Sequence, residues 1–237
     1  MNFKDQGIII AKRFLQDNRY VITVFTKNHG IYSGVIKQFS KKMGDNLVAG
    51  NLVDFMWNAR LHEHLGYAKV ELIKSYNAYI IGNKTKLYAF NSIISILQLA
   101  FCEREPHNDL FPSLLELIDS FKGEFSVKKY IDFELRILEE SGYQLQLNKC
   151  ADTGKSEDLH YISPKSGRAV SRQSGEPFAE KLLPLPQFLI KDTEPNYLEI
   201  KEAKKTTSYF INRYILINKE PPTSREKFYQ HMLCSVN

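Results

Sequence analysis

The sequence predicts an α+β chain in which a small five-stranded β-barrel precedes a mostly helical region, and three observations predict it. Short runs rich in Ile, Val, Tyr and Phe follow one another from Gly7 to about Ser75, each bounded by turn residues. After Asn83-Lys84 the apolar spacing changes to that of helices. Between Cys150 and Ser174 the helical part is interrupted by a spacing of the kind that holds metal in small hairpins. A chain of 237 residues with 43% hydrophobic content can bury a core, and we expect two domains, residues 1–80 and 81–237.

The expected strands are residues 7–14, 19–26, 31–37, 51–58 and 67–74, separated by Asp17-Asn18, Asn28-His29-Gly30 and Gly44-Asp45-Asn46. Five short strands in so few residues suit a barrel, and a basic surface makes an OB-fold the leading choice. The charge supports that. Residues 1–80 hold eight Lys and three Arg against four Asp and two Glu, 11 − 6 = +5, while the remainder holds 32 − 11 = 21 basic and 27 − 6 = 21 acidic residues. The whole excess lies in the first third, which favours a polyanion as its partner. Lys12 and Arg13 end the first strand, Arg19 and Lys27 flank the second, and Lys37, Lys41 and Lys42 cluster with Phe39. Such side chains neutralise phosphates, and the rings of Tyr32, Phe39 and Trp57 have faces on which unpaired bases stack. Of these Trp57 is expected in the core, because it closes an otherwise apolar strand.

Helices are expected over residues 87–101, 113–121, 124–141, 201–217 and 224–233. Pro106 and Pro112 bracket a turn, Pro184-Leu-Pro186 reads as a rigid connector, and Thr223 or Ser224 as an N-cap. Within this region Cys150-Ala-Asp-Thr153 is followed, after seventeen residues, by Ser171-Arg-Gln-Ser174. That is the layout of a zinc ribbon, C-x2-C, spacer, C-x2-C, with only Cys150 retained. Hydroxyls are poor zinc ligands, so residues 148–178 are expected to form a degenerate, metal-free ribbon hairpin in which Cys150 packs as a small apolar residue.

Catalytic readings fail on spacing. Gly154-Lys155-Ser156 ends like a phosphate-binding loop, but the first glycine of that motif falls at Lys149 and a helix rather than a strand precedes it. His62-Glu63-His64 lies in a loop with no third ligand near in sequence, and Cys150 has no paired histidine to make it a nucleophile. No bond chemistry, cofactor or metal is therefore expected. Cys102, Cys150 and Cys234 have no framework spacing, no run approaches membrane-span length, and the first twenty residues are rich in charge, so the expectation is a reduced, cytoplasmic protein with no membrane partner.

The helix Asp132-Phe-Glu-Leu-Arg-Ile-Leu-Glu-Glu-Ser-Gly-Tyr143, entering the Cys150-Ala-x-x-Gly turn, resembles the RecO family of bacterial DNA repair proteins. Gly7-Ile-Ile-Ile with Val24-Phe25-Thr26 and Gly30 is similar to that family's first hairpin, and Thr223-Ser-Arg-Glu-Lys-Phe228 to its closing helix. The resemblance spans nearly the whole chain. It implies an OB-fold, binding to single- and double-stranded DNA, strand annealing, and, with RecR, assistance to RecA in replacing the single-stranded DNA-binding protein. It also implies that the acidic, Phe-ended tail of that protein docks on the helical domain. The family often places arginines just before its Phe-Glu-Leu, where this chain has Ile131 and Asp132; Lys128, Lys129 and Arg136 are the residues that could take their place. The chemistry of the barrel alone also allows an RNA-binding protein of translation or RNA processing.

Overall fold

The computed structural model describes residues 1–37, 44, 46–61, 63–191, 193–217 and 219–235. The chain divides into two compact units, Met1–Phe90 with Phe101–Glu124, and Asn91–Ala100 with Phe125–Asn237.

In the first unit β1 (Asn2–Phe14), β2 (Arg19–Thr26), β3 (Gly30–Lys37), β4 (Leu52–Asn58) and β5 (Tyr67–Lys74) close a barrel in the order β1-β2-β3-β5-β4. This is the strand order expected of an OB-fold. β1 is long enough to serve two neighbours: its first half pairs with β4 from Asn2↔Asn58 to Ile8↔Leu52, its second with β2 from Gly7↔Thr26 to Phe14↔Tyr20. A bulge between Ile9 and Ala11 bends it where it passes from one to the other. Asp17 and Asn18, with φ of 52° and 55°, form the two-residue β1–β2 turn whose twist matches the strands. Inside the barrel lie Ile9, Ile22, Val24, Tyr32, Ile36, Val53, Phe55 and Trp57. The Trp57 indole N–H donates to the carbonyls of Ser33 and Leu65, at 3.1 and 3.0 Å.

The strand begins five residues before the sequence predicts, because a carboxylate stands where the apolar alternation would continue. Asp5 is buried, and its side chain accepts the backbone N–H of Asn28 (2.8 Å) and the Asn28 amide (2.9 Å), binding β1 to the β2–β3 turn. Gly30 in that turn has φ +75°, and a Cβ there would lie 1.8 Å from the Glu105 carbonyl oxygen, so no other residue fits. Around the barrel run α1 (Asn77–Ile81), the first part of α2 (Lys84–Ala100) and α3 (Leu110–Ser120). Phe111 of α3 meets Phe25 of β2 at 6.0 Å. Pro112 does not bound a turn as expected; it sits in the first turn of α3, where its missing N–H has no partner to lose.

The second unit holds the rest of α2, then α4 (Val127–Glu140), β6 (Leu159–Ile162), β7 (Ala169–Ser171), α5 (Arg172–Gly175), β8 (Leu183–Pro184), α6 (Tyr197–Ile211) and α7 (Thr223–Ser235). The three short strands form a sheet ordered β7-β6-β8. β8 corrects the reading of Pro184 as part of a connector: it pairs with Tyr161 as an edge strand, a place that tolerates a missing N–H. α6 starts four residues before the expected position, since Asn196 and Glu199 form a capping box. Its end loosens into a π-helical turn, Asn212–Leu216. α7 begins at Thr223 itself, with the N–H of Arg225 donating to the Pro222 carbonyl at 2.9 Å, so neither Thr223 nor Ser224 precedes the helix as a cap. Among the described residues no helix is long and apolar enough to cross a membrane.

Candidate nucleic-acid interface

The tip of the β1–β2 hairpin gathers four of the basic residues singled out in the sequence. Strand alternation divides them between two faces. On one, Lys12 and Phe14 lie over Tyr20: the Lys12 ammonium is 4.2 Å from the Tyr20 ring centre, and Phe14 meets the same ring edge-on at 5.3 Å. On the other are Arg13, opposite Val21, and Arg19, directly opposite Lys37. Asp17 holds the Arg19 guanidinium at 3.2 Å. Arg19 and Lys37 are thus neighbouring cations, an arrangement that suits a phosphate. Phe14 is 60% exposed, and Tyr67, 73% exposed, pairs with Val35 two residues before Lys37. These rings are the aromatic partners the sequence reading missed; Phe14 and Tyr20 flank the Asp17-Asn18 turn, which was the available signal.

The remaining candidates are placed differently. Tyr32 is 5% exposed and sits among Phe3 and Trp57 in the barrel core, so it has no ring face to offer a base. Lys27 is at the far end of β2, a strand length of roughly 26 Å from Arg19. Phe39, Lys41 and Lys42 lie outside the described residues, as does His62. In the second unit Lys128, Lys129 and Arg136 all project from α4. Lys128 pairs with Asp132 at 2.9 Å and Arg136 with Glu139 at 2.8 Å, while the Lys129 N–H donates to the Ser126 cap.

Cys150, Thr153, Ser171 and Ser174, the four positions of the spacing seen in the sequence, are linked by hydrogen bonds. Cys150 is fully buried and is not the passive apolar filler expected: the Ser171 N–H donates to its sulfur at 3.3 Å. Ser171 Oγ stands 3.5 Å from the same sulfur, and the Ser171 hydroxyl donates to Ser174, which donates to Asp152 at 2.8 Å. Burial by itself raises a thiol pKa, but donors from Thr153 and Ser171 outweigh it and bring Cys150 down to about 6. Ultraviolet titration of the thiolate in the intact protein should therefore show a midpoint near 6, abolished in Cys150→Ser. Because the folded value is depressed, this group adds stability that is complete above the ordinary thiol range and is lost as pH falls through about 6. Among the described residues no group of three or more His, Cys, Asp or Glu is placed to hold a metal ion.

Comparison with known families settles what kind of chain this is. The model of the recombination protein O N-terminal domain matches residues 1–76, and that of its C-terminal domain residues 83–223. The chain belongs to the RecO family. Proteins named DNA repair protein RecO from Rickettsia rickettsii and Rickettsia felis are each 51% identical to it over 234 residues, covering 98% of this chain and 99% of theirs. One from Rickettsia bellii is 51% identical over 98% of this chain and 97% of its own. A role in DNA repair and recombination follows from membership of the RecO family.

Two of the family's stretches, far apart in sequence, meet in the second unit. Glu134, from Phe133-Glu-Leu135, is fully buried against Arg225 of the closing helix, with Nε to Oε1 at 2.7 Å and Nη2 to Oε2 at 3.0 Å. The Tyr130 and Tyr229 hydroxyls donate to the same carboxylate at 2.7 and 3.0 Å. Arg225 also donates to Ser208 and Thr207, both at 2.7 Å. The sequence reading used both stretches as landmarks and missed that they form one pair.

Proposed function

We propose that the barrel binds single- and double-stranded DNA at the tip of the β1–β2 hairpin, and that the chain promotes annealing by holding two strands together. The observation that carries this reading is the convergence of Lys12, Arg13, Arg19 and Lys37 with the rings of Phe14 and Tyr20 on one hairpin end. Cations there reduce the repulsion between two strands, and exposed rings stack on unpaired bases. Lys41, Lys42 and Phe39 follow Lys37 closely in sequence and are further candidates for contact with the strand, with Lys27 as a separate contact. No bond is made or broken. With RecR, the chain assists RecA in replacing the single-stranded DNA-binding protein, whose acidic tail docks beside Lys128, Lys129 and Arg136.

A labelled single strand bound to the full chain tests the first part. Unlabelled DNA of the same sequence should displace it more effectively than RNA; the reverse order would favour an RNA-binding role. For the second part, Lys128→Glu with Lys129→Glu should abolish binding of the acidic tail peptide while sparing most DNA affinity, because a local basic pocket, not the balanced charge of residues 81–237, must attract the peptide. Simultaneous loss of both activities would contradict separate surfaces.

A further inference from the structure

The neutral charge balance of the residues after 80 conceals a local arrangement on α6. Its buried face carries Ile200, Ala203, Thr206, Thr207, Phe210 and Ile211. On the opposite face Lys201, Lys205, Tyr209 and Arg213 recur every four residues, which lines them along one ridge of about 18 Å. At the end of the ridge the helix widens into the π-turn Asn212–Leu216, a feature that accompanies functional sites more often than ordinary helix does. Tyr214 is five residues beyond Tyr209, the interval that a wider turn brings into line.

The result is a layered set of planar groups. Arg213 donates to the Tyr209 hydroxyl at 2.6 Å, and its guanidinium carbon lies 5.9 Å from the Tyr209 ring centre and 5.4 Å from that of Tyr214. Tyr214 is stacked on Tyr143 at 3.9 Å with 15° between the planes. Tyr143 is 40% exposed. Just beyond the π-turn, Ile217 holds φ 28° and ψ 79° with its side chain 65% exposed, a backbone conformation that a β-branched residue adopts only under strain. Of the acids nearby, Glu139 is paired with Arg136, and burial raises the pKa of Glu202 against the smaller opposing effects of His160 and Lys205.

We infer that the exposed ridge of α6, with Tyr143 at its end, is a second track for single-stranded nucleic acid, distinct from the barrel. Lys201, Lys205 and Arg213 neutralise phosphates, and the exposed face of Tyr143 extends its stack by one unpaired base. Stacked rings with an arginine between them and lysines spaced along a ridge are the chemistry of sequence-tolerant single-strand binding. The inference rests on the reading of the chain as a nucleic-acid binder. Base stacking on Tyr143 keeps the bound bases unpaired and accessible to a complementary strand.

Fluorescence anisotropy of a labelled oligothymidine with the full chain tests it. Tyr143→Ala should weaken binding by about five- to thirty-fold without changing the salt slope, and Tyr143→Phe should bind as the parent does. Lys201→Gln with Lys205→Gln, two exposed positions, should instead flatten the log–log salt slope by about 1.4. Parent binding that neither substitution disturbs would overturn the α6 track and leave the barrel reading standing. Failure of the parent chain to bind would overturn both.

Discussion

Replacing Arg225 with Ala should lower the stability of the chain by about 3–5 kcal/mol, because it leaves the Glu134 carboxylate buried without its counter-charge. Glu134 is fully buried and Arg225 1% exposed, so water cannot take the place of the missing partner. Burial alone would weaken the hold of the guanidinium on its proton, but the Glu134 charge outweighs it and pushes the Arg225 pKa up further. Burial likewise raises Tyr229, which stays protonated and keeps donating to the carboxylate. A loss of that size is a large part of the roughly 5–15 kcal/mol that holds a typical domain folded. Glu134→Leu combined with Arg225→Met should recover part of it, since the apolar pair removes the stranded charge while the Tyr130 and Tyr229 hydroxyls lose an acceptor. Urea denaturation of the three proteins checks this. A single substitution costing under about 1 kcal/mol would mean that the pair is solvated in a way the structure does not show.

Removing the charge at the hairpin tip should have the larger effect on binding. With Lys12, Arg13, Arg19 and Lys37 all replaced by Gln, four phosphate contacts are lost, each worth a slope of about −0.7 on single strands. Near 0.1 M salt that corresponds to a loss of roughly two to three orders of magnitude in affinity. The substitutions keep the side-chain stems, and Lys12, Arg13 and Lys37 are exposed, so the melting temperature should hardly change. Intrinsic fluorescence from Trp57, buried in the barrel, reports the fold in the same samples. A variant that folds and binds as well as its parent would move the DNA site away from the hairpin.

How much of this was legible in the sequence depended on how far a signal could act. Strands β2 to β5 were legible because apolar residues and turn formers punctuate them. The start of β1 was not, since Asp5 replaces an apolar residue and draws its partners from a turn more than twenty residues away. Tyr32 looked available for stacking because alternation distinguishes faces only when one of them is wet. In β3, Ile31, Tyr32 and Ser33 are all buried, so period two carries no such information there. The paired spacing around Cys150 and Ser171 was visible in the sequence, whereas the hydrogen bonds that tune the Cys150 sulfur come from residues that only the fold brings together. Glu134 and Arg225 stand 91 residues apart, and nothing local marks either as the partner of the other. The basic residues of the hairpin tip were named individually, but only register shows that Arg19 faces Lys37 and that Lys12 lies over Tyr20.

The basic, aromatic hairpin end is proposed to make this RecO-family chain a binder of single-stranded DNA. A titration of the full chain with a labelled single strand, repeated over a range of salt concentrations, tests that proposal most directly. The logarithm of affinity should fall linearly with the logarithm of salt, with a slope of about −3 or steeper, and the four tip substitutions should remove most of that slope. Binding that is absent, or that is present but indifferent to salt, would contradict it.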